Sequence, residues 1–114
     1  MTLSQTYSWL FYALALASGK GPAKYMDIEQ TADGINHAIP THKEIRKSLA
    51  WLSDKGLVIK EGETYFLSGD GNTLLNRLSS NENTTMGVWK NIERYFEECG
   101  VDNVTKIDPN TFAT

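Results

Sequence analysis

The chain has 114 residues, 40% of them apolar and 22% charged, and a formal net charge of −3. That length suits one hydrophobic core and not two, and the composition is that of a folded protein and not of a disordered one. The net negative charge excludes a surface coated in positive charge for indiscriminate nucleic-acid binding.

Taken in chain order, Leu3, Tyr7, Leu10, Phe11 and Leu14 recur at helical spacing across residues 3–18, and Trp9, Tyr12, Ala13 and Leu16 make the opposite side apolar as well. A helix apolar all round is expected to be buried on both sides. No Lys or Arg precedes the apolar run at 9–17, which argues against an export signal, and the run is far too short to span a membrane. Cys99 is the only cysteine, so an intrachain disulfide is excluded and a cytoplasmic location is expected.

Gly19 to Pro22 reads as a loop. Asp27 with Gln30 forms a capping pair that opens a short helix to about Ile35, with Ile28, Thr31, Ala32 and Ile35 inward. Thr41 with Glu44 makes a stronger capping box, and Pro40 bars the preceding helix from running on. The helix that starts there runs to about Lys55, where Gly56 can take the left-handed conformation that closes it. Residues 57–60 and 64–67 read as two strands around Glu61-Gly62-Glu63. A further helix is expected over 72–78, then a polar linker at 79–85, then an amphipathic helix over 86–100. Its stripe is Val88, Trp89, Ile92, Tyr95, Phe96 and Cys99, and the tail 101–114 follows.

The charge is unevenly placed. Residues 41–60 carry Lys43, Arg46, Lys47, Lys55 and Lys60 against Glu44 and Asp54, so an otherwise acidic chain holds one basic segment, as a protein that meets a polyanion through a small patch would. Ile45, Leu49 and Leu52 cluster on the core side of the helix from Thr41, with Ser48 beside them. Lys43, Lys47, Ala50 and Asp54 fall opposite, flanked by Arg46 and His42. On the charges alone, a solvated helix face is the better explanation of these cations.

Leu49, Leu52, Gly56, Leu57 and Val58, followed by Tyr65, Leu67, Ser68 and Gly71, resemble the winged helix-turn-helix regulators of the MarR and PadR type. In those, a recognition helix ends in Leu-x-x-Leu-x-x-x-Gly-Leu and the wing returns as Tyr-x-Leu-Ser-x-x-Gly. The resemblance implies a mainly α fold with a small β-hairpin, an α+β winged helix-turn-helix domain over 1–78 with an added C-terminal helix. It implies a transcriptional regulator, a repressor by expectation, bound to double-stranded DNA with the helix 41–55 in the major groove. Lys43, Arg46 and Lys47 inherit the contacts to bases or phosphates, with His42, Thr41 near the helix start, and Lys60 on the hairpin. A homodimer is expected, built by Trp9, Tyr12 and Leu16 of the first helix and Val88, Trp89, Ile92, Tyr95 and Phe96 of the last.

One departure matters. A wing of this kind usually offers Arg or Lys to the duplex, whereas this tip carries Glu61 and Glu63, which phosphate repels. The alternative reading is therefore a protein-interaction module that keeps the fold without binding DNA. Trp9, Tyr12, Trp51, Trp89, Tyr95 and Phe96 read first as packing residues and second as the lining of a small-molecule effector pocket. His37 and His42 lack further ligands at a known spacing, so no metal or other cofactor is expected. Cys99 reads as a core thiol, and no catalytic constellation stands out, so the chain is not expected to be an enzyme.

Overall fold

The computed structural model describes residues 1–102. It is mainly helical with a small antiparallel sheet, an α+β arrangement in the order α1 (Leu3–Ala17), β1 (Ala23–Lys24), α2 (Tyr25–Asn36), α3 (His42–Asp54), β2 (Val58–Glu61), β3 (Thr64–Leu67), α4 (Gly69–Ser79) and α5 (Thr85–Glu98). The sheet order is β1-β3-β2, with Ala23 opposite Tyr65 and Val58 opposite Leu67. No helix of the described residues is long and apolar enough to cross a membrane. Of the tail expected at 101–114, Val101 and Asp102 belong to the described residues and the rest lies outside them.

The doubly apolar first helix organises everything else. α1 touches α2, α3, α5 and β3, and Tyr7, Trp9, Leu10, Phe11, Tyr12, Ala13 and Leu14 are all buried. At about 1.5–3 kcal/mol for each large apolar side chain removed from water, this one segment supplies a large share of the driving force. The polar edges of its aromatic neighbours are satisfied. The Trp9 indole N–H donates to the Ala32 carbonyl at 2.8 Å, and the Trp89 indole N–H donates to the Ser8 hydroxyl at 2.9 Å. Tyr7 stacks on Trp51 with ring centres 5.0 Å apart, and Trp51 meets Phe96 edge-on at 4.9 Å. α1, α3 and α5 are thereby joined through one aromatic chain.

Each helix has an identifiable start. Thr2 caps α1 by accepting from the Gln5 N–H at 3.2 Å, and Asp102, the last described residue, returns to the same turn. Its carboxylate accepts from the Ser4 N–H at 3.1 Å and from the Ser4 hydroxyl at 2.6 Å. A carboxylate there also meets the positive end of the helix dipole. Thr41 and Glu44 form the reciprocal capping box of α3, at 3.0 and 2.8 Å, and Gly56 follows that helix at φ +75°.

Several expectations are corrected. α2 begins at Tyr25 because Asp27 acts from its third position, accepting the Lys24 N–H at 2.9 Å, instead of standing before the helix. The hairpin gains a third strand, β1, too short to show a period. The helix expected over 72–78 is α4 and begins at Gly69, because the Ser68 hydroxyl accepts the Gly71 N–H at 3.0 Å and starts it early. The expected linker is an ordered turn in which the Glu82 carboxylate accepts the Asn83 and Thr84 N–H groups. Cys99 is exposed, not in the core: α5 ends at Glu98, Gly100 turns the chain at φ +82°, and Val101 takes the buried place.

Two positions set opposite stability effects. The Ser48 hydroxyl is fully buried on the core side of α3 without a hydrogen-bond partner. Ser48→Ala should raise stability by about 1 kcal/mol, read as a higher urea midpoint at unchanged slope. Gly71 is buried where α4 passes over the start of β2, and a Cβ there would collide with the Leu57 carbonyl. Gly71→Ala should cost roughly 1–3 kcal/mol in the same measurement, since backbone and not a flexible side chain must give way.

Candidate nucleic-acid interface

The orientation of α3 follows from its buried side. Ile45, Ser48, Leu49 and Leu52 dock inward against α1, which turns the opposite face out: His42, Lys43, Arg46, Lys47, Ala50 and Asp54 are all exposed. Among the described residues no ion pair ties Lys43, Arg46 or Lys47 to a carboxylate. Lys55, at the C-cap, lies over the Trp51 ring at 5.8 Å from its centre and so belongs to the end of the helix, away from the cationic first half. Thr41 is exposed, and its oxygen already accepts the Glu44 N–H, leaving its O–H as donor.

His42 is held more firmly than its exposure suggests. The Tyr25 hydroxyl and the His42 Nδ1 are 2.8 Å apart, and the two rings stack with centres 5.4 Å apart at 19°. Burial, and then the neighbouring Glu29, push the Tyr25 hydroxyl above its usual pKa, opposed by the positive charge of Arg46. The hydroxyl therefore keeps its proton at neutral pH. When it donates to Nδ1, the imidazole proton sits on Nε2, at the first turn of α3. Nothing in the sequence period pointed to Tyr25, which falls between a loop and a capping pair.

The hairpin stem supplies the facing wall. Lys60 is exposed and its Nζ lies over the Tyr65 ring, 5.9 Å from the centre. Between this stem and α3 runs a cleft of 220 Å³ bordered by Tyr25, Arg46, Leu49, Ala50, Ser53, Lys60 and Tyr65. A neighbouring hollow of 320 Å³ shares Tyr25, Lys60 and Tyr65 and adds Lys24, Met26 and Glu63. Arg46 and Lys60, fourteen positions apart in sequence, thus border one cleft. Lys43, Lys47 and Thr41 lie outside that lining.

The residues expected to build a dimer are placed differently. Trp9, Tyr12, Val88, Trp89, Ile92 and Phe96 are buried within the single chain, Tyr95 is half-buried under the Arg77 guanidinium, and Leu16 is exposed. The second apolar face of α1 and the stripe of α5 cover each other, so these side chains do not form a free surface for a second copy. The same burial removes Trp9, Tyr12, Trp89 and Phe96 from an effector pocket. An open cavity of 480 Å³ lies elsewhere, bordered by Ala15, Pro22 and Phe66 among others, and none of the six expected aromatics lines it. Among the described residues no three His, Cys, Asp or Glu side chains gather as metal ligands would.

Tyr25→Phe keeps the ring stack and deletes the hydroxyl. The expected outcome is a changed balance of His42 imidazole tautomers, read from its nitrogen chemical shifts at neutral pH. Identical shifts in the two proteins would show that the hydrogen bond does not form in solution.

Known proteins offer no counterpart: no family model fits the chain, and no curated protein or solved structure matches it.

Proposed function

We propose that this chain is a DNA-binding transcriptional regulator of the winged helix-turn-helix kind, with α3 as the recognition helix in the major groove of double-stranded DNA. The observation that carries this reading is the exposed array of Lys43, Arg46 and Lys47 on a well-capped helix whose other side is locked into the core. A B-DNA major groove about 12 Å wide admits one helix, and the small Ala50 leaves room for close approach along the same face. The hairpin that follows α3 stands in the place of a wing. His42, with Nδ1 engaged, offers Nε2 toward a base edge or a phosphate oxygen.

The charge distribution supports the same reading. Binding depends on a small cationic face in a chain of net charge −3, so attraction is local and its range is about 8 Å at physiological ionic strength. Affinity should therefore be modest and fall steeply with salt.

A second reading stands on the hairpin tip. Glu61 and Glu63 are both exposed there, and two carboxylates suit a basic protein partner better than phosphate. In that case the fold serves as a protein-interaction module.

Selection of bound sequences from a random duplex pool at low salt separates the two. The regulator reading expects an enriched motif. It also expects that Arg46→Ala with Lys47→Ala leaves the circular dichroism and unfolding midpoint unchanged and weakens binding at least about a hundredfold, two charge-assisted contacts at roughly 1.5–3 kcal/mol each. Absence of any duplex binding by the wild-type chain at low salt would turn the assignment to the interaction module.

A further inference from the structure

Arg46 does not share the environment of Lys43 and Lys47. Those two border a separate hollow with Leu3, Thr6 and Tyr7 at the start of α1, whereas Arg46 borders the 220 Å³ cleft whose far wall is Lys60 and Tyr65. The lining of this cleft holds two cations and no carboxylate, while the neighbouring hollow sets Glu63 against Lys24 and the shared Lys60. An anion that approaches the hairpin is thus steered to the α3 side.

We propose that this cleft is a phosphate seat, in which Arg46 from α3 and Lys60 from the hairpin stem hold one backbone phosphate of the bound nucleic acid between them. The inference rests on the regulator reading and deepens it. It makes Arg46 a phosphate clamp instead of a base reader, leaves base discrimination to Lys43, Lys47 and His42, and gives the hairpin a contact through its stem in place of its acidic tip.

The chemistry of the cleft fits a phosphate. A guanidinium presents two parallel N–H donors to two phosphate oxygens, and an ammonium supplies a point charge from the opposite side. Lys60 is already drawn over the Tyr65 ring, so less side-chain freedom is lost when it closes on the anion. The Ser53 hydroxyl borders the same space as a neutral donor, and the small Ala50 leaves room beside it.

The test compares wild type, Arg46→Gln and Lys60→Gln on the selected duplex and on a random-sequence duplex across a salt series, with amide NMR spectra to establish that each variant is folded. Each variant should bind both duplexes roughly tenfold more weakly, by the same factor, and should flatten the plot of log affinity against log salt by about 0.9, one phosphate contact. A Lys60→Gln protein with wild-type affinity and slope overturns the seat, as does an Arg46→Gln protein that loses only its preference for the selected sequence. If the wild-type chain binds no duplex, the regulator reading fails by itself. Titration with inorganic phosphate then decides the cleft: saturable shifts at Tyr25, Ser53 and Tyr65 that vanish in Lys60→Gln assign it to free phosphate and overturn the nucleic-acid occupant, and no shifts remove the seat altogether.

Discussion

The hydrogen bond from the Trp89 indole to the Ser8 hydroxyl, and its counterpart from the Trp9 indole to the Ala32 carbonyl, fix α1 between α5 on one side and α2 on the other. Both indoles are buried, so an unmade N–H bond would cost roughly 1–3 kcal/mol, and this pins the rotation of α1 more sharply than apolar contact alone. With α1 fixed, the Tyr7–Trp51–Phe96 series of ring contacts sets where α3 docks. The outward face of α3 is then determined, because a rotation of one residue, about 100°, would carry Arg46 or Lys47 toward the core. The exposed face is cationic as a consequence of packing that happens entirely behind it.

The C-terminal segment takes part in that same constraint. α5 covers the α1 face that the remaining helices leave open, and Asp102 returns to cap the first turn of α1 with two hydrogen bonds. The start and end of the described chain are joined at one helix terminus. An added helix of this kind could have paired with a second copy or with its own chain, and Phe96 packed edge-on to Phe11 and Trp51 places it with its own chain. Its apolar stripe is consumed internally, so any partner surface of the protein lies elsewhere than on these aromatics.

The parts legible in the sequence are those governed by a local period or a local cap. The capping box at Thr41 and Glu44, the glycine stop at Gly56 and the split of α3 into an Ile45–Leu49–Leu52 side and a Lys43–Lys47 side follow from spacing within one helix. The hairpin strands follow from composition around Gly62. Illegible were features that depend on a distant partner. β1 exists because Ala23 and Lys24 meet β3, and Tyr25 joins the site because α2 sets its ring against His42. Cys99 keeps the period of its helix, but the helix ends there, so the period no longer decides burial. The likeness of residues 49–71 to winged regulators belongs to a third kind of knowledge, since it assigns a role to cations that spacing alone leaves as a solvated face.

The hairpin divides its charge along its length. Glu61 follows Lys60 in the strand and Glu63 borders the same hollow as Lys60, so the two carboxylates weaken its long-range pull on an anion. Distant attraction is therefore small on this side, and what remains to Lys60 is contact at short range. Contact demands geometry: an anion must enter far enough between the stem and α3 to leave the tip behind. A smooth rod of charge laid across the tip would meet repulsion first, whereas in the proposed complex a backbone following the edge of the groove would reach Arg46 and Lys60 together. Under the proposed reading the acidic tip would filter the angle of approach, so that the hairpin sets orientation and the helix beside it reads sequence.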